Sequence, residues 1–208
     1  MRARPDPLGI ALPPAVAGPG FLRDGTELWI RPYHEVDREL VARFVRGLHP
    51  EALELRFFSA VRPSVAEEEI VAPSEPSDRL CLLALGESTD RVSLIGVGEY
   101  ARVTGRSPLA EVAFLVTEEF RGEGVASLLL ARLARAARAF GIRRFVARIR
   151  SGNTEMLEVF RATGLPYSEE RVEDEVDVVV PVDGLGGPRA RPVPRRSRRA
   201  PRGVPAAA

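Results

Sequence analysis

The sequence predicts an α/β domain of the α+β kind, with a mostly antiparallel start and a strand–helix–strand unit at its centre. Three observations carry that prediction. Between about residues 26 and 182, short strand-like apolar runs alternate with runs whose apolar residues recur at helical spacing. Two of the apolar runs, 79–86 and 92–103, are joined by the polar stretch 87–90, as in a hairpin. The helical run 125–140 stands between the strand-like segments 109–116 and 143–150.

In chain order, ELWIRPY at 27–33 alternates as a short strand and ends in a proline turn. Val36, Leu40, Val41, Phe44, Val45 and Leu48 then recur at helical spacing. Pro50 stands where a second helix begins, since the N–H it lacks would be unpaired there anyway. PSVAEEEIVAP gives a third, ended by Pro73. After the hairpin and the strand 109–116, the run 125–140 is the strongest helix, with Gly141 in a C-terminal capping position. In the next strand Phe145, Ala147 and Ile149 alternate with arginines. A short helix over 153–163 is followed by Gly164, and EVDVVVPV is the last strand. The domain is thus placed at 26–182. A Pro/Gly-rich leader at 1–25 and an Arg/Pro-rich tail at 183–208 hold too few large apolar residues to offset the entropy of ordering and are expected to be disordered.

Composition narrows the chemistry. With 45% apolar and 28% charged residues this is a soluble globular chain. No apolar run reaches the roughly 20 residues that cross a bilayer, and the apolar part of the N-terminus is broken by prolines and glycines, unlike a secretory signal. A cytoplasmic protein follows, with no membrane partner. A single cysteine, Cys81, excludes an internal disulfide, and with only His34 and His49 beside it a zinc site lacks ligands, so no metal is expected. The chain has no lysine: all 30 basic residues are arginine. That removes a phosphate-binding Walker lysine, a Schiff-base lysine and a pyridoxal anchor. Residues 186–208 carry seven arginines and no acid, leaving 23 arginines against 29 acids in residues 1–185. The tail is either a solvated extension or an electrostatic arm for an acidic protein or nucleic acid.

The most informative stretch is EEFRGEGVASLLLARL, where Gly122 and Gly124 precede the central helix. Free N–H groups at a helix start, together with the helix dipole, form an anion site suited to a pyrophosphate. Glycines allow close approach of the phosphate, and Arg121 can supply charge. A dinucleotide fingerprint fails because Ser127 stands where its third Gly or Ala would be. A purely structural glycine turn is the other account of these residues.

The segment EVAFLVTEEFRGEGVASLLLARLARAARAFGIRRFVARI resembles the central motif of the GNAT superfamily of acyl-CoA-dependent N-acetyltransferases. Arg121, Gly124 and Ala126 match the family's Gln/Arg-x-x-Gly-x-Gly/Ala. NTEMLEVFRATGL is similar to its next helix, and Arg56-Phe57-Phe58 after the first helix is similar to the bacterial protein lysine acetyltransferases. The resemblance covers roughly 26–182. It implies a mixed, mostly antiparallel sheet of about six or seven strands with a splayed central pair, helices on both faces, and acetyl-CoA as cofactor. It further implies that Leu115, Val116 and Thr117 pair with pantetheine, that N–H groups of Arg121, Gly122, Glu123, Gly124, Val125 and Ala126 hold the pyrophosphate, and that Asn153 and Phe160 line the thioester side.

An amine must lose its proton before it attacks, and a carboxylate can take it. Glu111 matches the position where relatives carry a catalytic glutamate, and it shares a strand face with Ala113 and Leu115; the alternative is an exposed strand-end acid. Glu99 on the adjacent strand is the runner-up base. The resemblance assigns the Val116 N–H to the oxyanion. Many relatives use a tyrosine as the acid where this chain has Phe160. Cys81 sits in an apolar run without a nearby histidine in sequence, so transfer should be direct. Arg56 either orients substrate or anchors a core ion pair. The expected function is acetyl transfer to a protein lysine by a monomer or homodimer without a fused ligand-sensing domain. A small-amine acetyltransferase and a non-catalytic acyl-CoA sensor are the alternatives.

Overall fold

The computed structural model describes residues 12–72, 75–88, 91–103 and 108–185. Within them one sheet of eight strands runs in the order β1-β2-β3-β4-β5-β6-β8-β7. The strands are β1 Gly18–Phe21, β2 Glu27–Pro32, β3 Arg79–Ser88, β4 Arg91–Arg102, β5 Leu109–Val116, β6 Arg144–Arg150, β7 Ser168–Val172 and β8 Glu175–Pro181. The helices are α1 Arg38–Gly47, α2 Pro50–Phe57, α3 Pro63–Ile70, α4 Val125–Ala139 and α5 Thr154–Arg161. Neighbouring strands are antiparallel except β5 and β6, which are parallel and are linked through α4.

Strand alternation divides the core between the two faces. Val112 and Phe114 of β5 join Leu129, Leu130 and Leu133 of α4, Phe145 of β6 and Phe160 of α5 on one face. Leu115, with Val97 and Leu83, meets Val41, Phe44 and Val45 of α1, Leu53 of α2 and Ile70 of α3 on the other. Helix α4 lies against β4 because that strand offers glycine there. A Cβ on Gly98 would sit 3.0 Å from Leu129 Cβ and 3.0 Å from Phe114 Cδ1.

Two strands exceed the sequence expectation. β7, SEERV, is exposed along its whole length and so shows no apolar alternation. β1 falls inside the stretch taken as a leader, which corrects the start of the ordered domain. Gly20 of β1 lies so close to α4 that a Cβ there would be 2.6 Å from Leu128 Cδ2. Arg132 of α4 donates to the carbonyls of Ala15 and Pro19 and straps the segment down. The glycines and prolines that suggest disorder here instead allow close packing. Residues 1–11, the centre of the turn at 89–90, and 186–208 of the expected tail lie outside the described residues. Leu185, within the tail as placed from sequence, is buried.

The feature that positions the site is the parting of β5 from β6. They pair only at Leu109↔Arg144, Ala110↔Phe145 and Glu111↔Val146. β5 then stays with β4 as far as Gly96↔Val116, while β6 is held by β8 as far as Arg150↔Glu175. A wedge opens between them, as the splayed central pair expected from sequence requires. The close fit of α4 onto β4 is what keeps the floor of this wedge in place. Gly98→Val should therefore lower stability by about 1–3 kcal/mol, the usual cost of overpacking. Urea unfolding measures this, and an unchanged midpoint would show that α4 is free to move away.

Candidate active site

A cavity of about 580 Å³ occupies the wedge. Its walls are the diverging edges of β5 and β6, its inner end is the turn before α4, and Asn153, Met156 and Val159 reach it from α5. Past Glu111 the β5 edge lacks a strand partner, and its backbone groups need other partners when covered. Register tells which groups these are. Thr117 N donates to Ile95 O at 2.9 Å, extending the ladder one pair beyond Gly96↔Val116. Hydrogen-bonded and non-bonded pairs alternate in an antiparallel ladder. Thr117, Leu115, Ala113 and Glu111 thus turn their backbone toward β4, and Val116, Phe114 and Val112 turn theirs into the wedge. Of the three positions expected to pair with pantetheine, Val116 turns its backbone into the wedge. Leu115 lines the cavity but spends its backbone on β4, and Thr117 does not line it. Phe114 also turns its backbone into the wedge, a position that the alternation of bonded pairs would have supplied.

The turn at the inner end has the geometry of an anion cradle. Gly122 and Gly124 adopt φ of +75° and +99°, conformations that L side chains rarely take, and Gly124 is the N-cap of α4. Arg121 N bonds Glu118 O at 3.2 Å and Glu123 N bonds Phe120 O at 3.4 Å. These two N–H groups, expected to hold a pyrophosphate, are therefore engaged in the turn itself, and Glu123 does not line the cavity. The N–H groups of Gly122, Gly124, Val125 and Ala126 carry no hydrogen bond among the described residues. The Arg121 side chain reaches the cavity but pairs with Glu118 at 3.1 Å.

At the opposite end, Glu111 and Glu99 share one sheet face, Glu99 standing opposite Ala113 and Glu111 opposite Ala101. Their surroundings separate them. Glu99 is buried, with Oε1 accepting from Arg56 Nη2 and Oε2 accepting from Arg79 Nη2 at 2.7 Å. Glu99 also lines the cavity, but with both oxygens committed to arginines it ties α2 to β4, an arrangement that speaks against the runner-up base. Arg56 is likewise the ion-pair anchor of the two roles open to it, and its guanidinium lies 4.8 Å from the centroid of Phe57. Glu111 is exposed, lines the cavity and makes no ion pair among the described residues. The nearby Arg148 is committed to Asp177 at 3.0 Å and Glu175 at 3.4 Å.

Two further expectations are decided by burial. Phe160 is 1% exposed and packed in the α4-side core, so it does not line the thioester side. Its helix presents Met156 and Val159 to the cavity instead, a turn of register that spacing from Asn153 alone does not give. Asn153 does line the cavity, with Oδ1 accepting from Met156 N at 3.1 Å as the cap of α5. Cys81 is buried opposite Glu99, and burial pushes its thiol well above the usual range, so it is no acyl carrier. A residue that sequence reasoning missed is Arg23, which lines the cavity beside Gly124. The Asp24-Gly25 pair between two short apolar runs was the available hairpin signal.

The acetyltransferase (GNAT) family model matches residues 48–165, more than half of the chain. The chain is 29% identical over 172 residues to Acetyltransferase Pat of Mycolicibacterium smegmatis, covering 79% of this chain and 50% of that protein. It thus spans half the length of that relative. An acetyltransferase of Pseudomonas aeruginosa is 25% identical over 161 residues, which cover 76% of this chain and 84% of the relative. Among solved structures, the GNAT domain of S. lividans PAT matches with a TM-score of 0.71 and 30% identity, over 82% of this chain and 99% of that one. A cAMP-binding acyltransferase from Mycobacterium smegmatis shares the fold, with a TM-score of 0.57 and 24% identity over 85% of this chain and 50% of that one.

Because Phe160 faces the core, restoring a tyrosine there should not restore an acid. Phe160→Tyr is expected to leave kcat within about twofold. It should lower stability by about 1–3 kcal/mol through a hydroxyl buried without a partner. A clear gain in rate would return residue 160 to the cavity.

Proposed function

Since this chain belongs to the GNAT acetyltransferase family, we propose that it transfers acetyl directly from acetyl-CoA to an amine, and that the amine is a protein lysine. The observation that carries this is the wedge. A strand edge with Val116 and Phe114 backbone groups turned outward ends at a glycine cradle, as a pantetheine amide chain attached to a diphosphate requires. When bound, acetyl-CoA supplies an activated thioester; everything else is done by the protein. The N–H groups from Gly122 and from Gly124 to Ala126 hold the diphosphate. The Val116 N–H faces the wedge where carbonyl oxygen gains charge on attack, so it is the oxyanion donor. Glu111 takes the proton of the incoming ammonium, directly or through one water, and the neutral nitrogen then attacks. The bond to nitrogen would form first, collapse would then break the bond to sulfur, and the second proton that nitrogen sheds on becoming an amide would neutralise the departing thiolate directly or through solvent, so that the coenzyme leaves as its thiol.

Protein lysine is favoured as acceptor by two points. Arg56-Phe57-Phe58 and the first helix resemble the bacterial protein lysine acetyltransferases. Glu111 is also exposed while lining the cavity, which suits a side chain presented by a folded partner. With no lysine in these 208 residues, the chain offers its own catalyst no side-chain acceptor.

Two outcomes test this. Glu111→Gln should lower kcat by roughly 10²- to 10⁴-fold, measured as thiol release with a lysine-bearing acceptor, while calorimetry shows unchanged coenzyme A binding. An unaltered rate would remove Glu111 as the base. Incubation with acetyl-CoA should give no lysine adduct on the chain itself by peptide mass spectrometry, any gain being confined to the N-terminal amine.

A further inference from the structure

We propose that Arg23, on the hairpin turn between β1 and β2, is a phosphate-binding residue that completes the anion cradle from outside the helix-and-turn motif. The inference rests on the coenzyme assignment made above and adds to it the cation that neutralises the diphosphate. Arg23 lies outside the family-model match, which begins at residue 48.

Four observations place it there. First, a Cβ built on Gly124 would stand 3.9 Å from Arg23 Cγ and 4.0 Å from its Nε, so the side chain passes directly over the N-cap of α4. Second, Arg23 lines the same cavity as Arg121, Gly122 and Gly124. Third, the charges around it are already committed. Arg121 is offset by Glu118 at 3.1 Å. Asp24, the acid next to Arg23 in sequence, accepts from Thr26 N at 2.9 Å and Thr26 Oγ1 at 2.8 Å and closes the turn. Arg23 makes no ion pair among the described residues, so its positive charge stands uncancelled at the helix start. Fourth, the turn is held rigidly. Leu22 N bonds Thr26 O at 2.9 Å, Gly25 takes φ of +94°, and β1 is strapped to α4 by Arg132. The backbone that carries Arg23 is thus held beside the helix start, and its exposed guanidinium can donate two parallel hydrogen bonds to phosphate oxygens.

A bidentate contact of this kind is charge-assisted, and removing one such cation costs about 10- to 100-fold in affinity. The test is calorimetry of coenzyme A and of 3′-dephospho-coenzyme A with the full chain and with Arg23→Ala and Arg23→Lys. Binding to the unaltered chain, a loss of at least about tenfold for both ligands in Arg23→Ala, and partial recovery in Arg23→Lys support the proposal. The loss should shrink in high salt, as a merely structural role would not, and KM for acetyl-CoA should rise with kcat unchanged. If the unaltered chain binds neither ligand, the coenzyme assignment falls and Arg23 falls with it. If it binds both and Arg23→Ala binds within twofold, only the Arg23 proposal is overturned. If the loss appears for coenzyme A and not for the dephospho form, Arg23 meets the ribose phosphate and its place at the diphosphate is overturned.

Discussion

The whole site depends on one missing set of hydrogen bonds, those between β5 and β6 beyond Glu111. A parallel pair normally continues until a strand ends, because unpaired backbone inside a sheet is costly. Here each strand is satisfied on its outer side, β5 by β4 and β6 by β8, so the two can diverge without either losing its ladder. The divergence makes a cavity in the middle of a sheet and lines it with backbone polar groups in alternating register. It also places the N-terminus of α4 at the cavity's inner end, because the turn from β5 into that helix must begin where β5 stops.

Electrostatics at the two ends of the cavity follow different rules. At the inner end positive groups are left available: amide hydrogens on a glycine turn, and an arginine whose neighbouring acid is bound within its own turn. At the outer end arginines are consumed in ion pairs, Arg56 and Arg79 with Glu99 and Arg148 with Asp177, while the exposed carboxylate of Glu111 makes no ion pair among the described residues. Two glutamates on the same sheet face thus have opposite tasks. Glu99 is a structural anion that breaks into a buried charge if its partners are lost, and Glu111 is the accessible one.

Much of this was legible in the residues. Short apolar runs, alternating in β2 and β6, marked six of the strands, and the apolar spacing in 125–140 together with Gly141 marked α4 to within a residue. The glycine turn was legible because two glycines before a helix have few uses that do not involve close approach. What the sequence hid was relational. β7 is too exposed to show alternation, and β1 is built of residues whose composition resembles disorder until Leu128 and Arg132 are seen against it. Phe160 was placed by its distance from Asn153 along the chain, but the rotation of α5 on the sheet decides which side of that helix meets the cavity. Glu99 and Arg56 could each be listed as candidates; only their mutual contact shows that they cancel one another.

The dependence of β6 on β8 carries a consequence for biosynthesis. β8 is the last-made strand among the described residues, and it is the strand that holds the far wall of the cavity along its outer edge. Until residues 175–181 are made, β5 is the one described strand beside β6, and the ladder that holds β6 away from it is missing. The pocket is therefore a property of the finished sheet, and a nascent chain that stops short of residue 175 has every element of the glycine cradle but no enforced opening beside it.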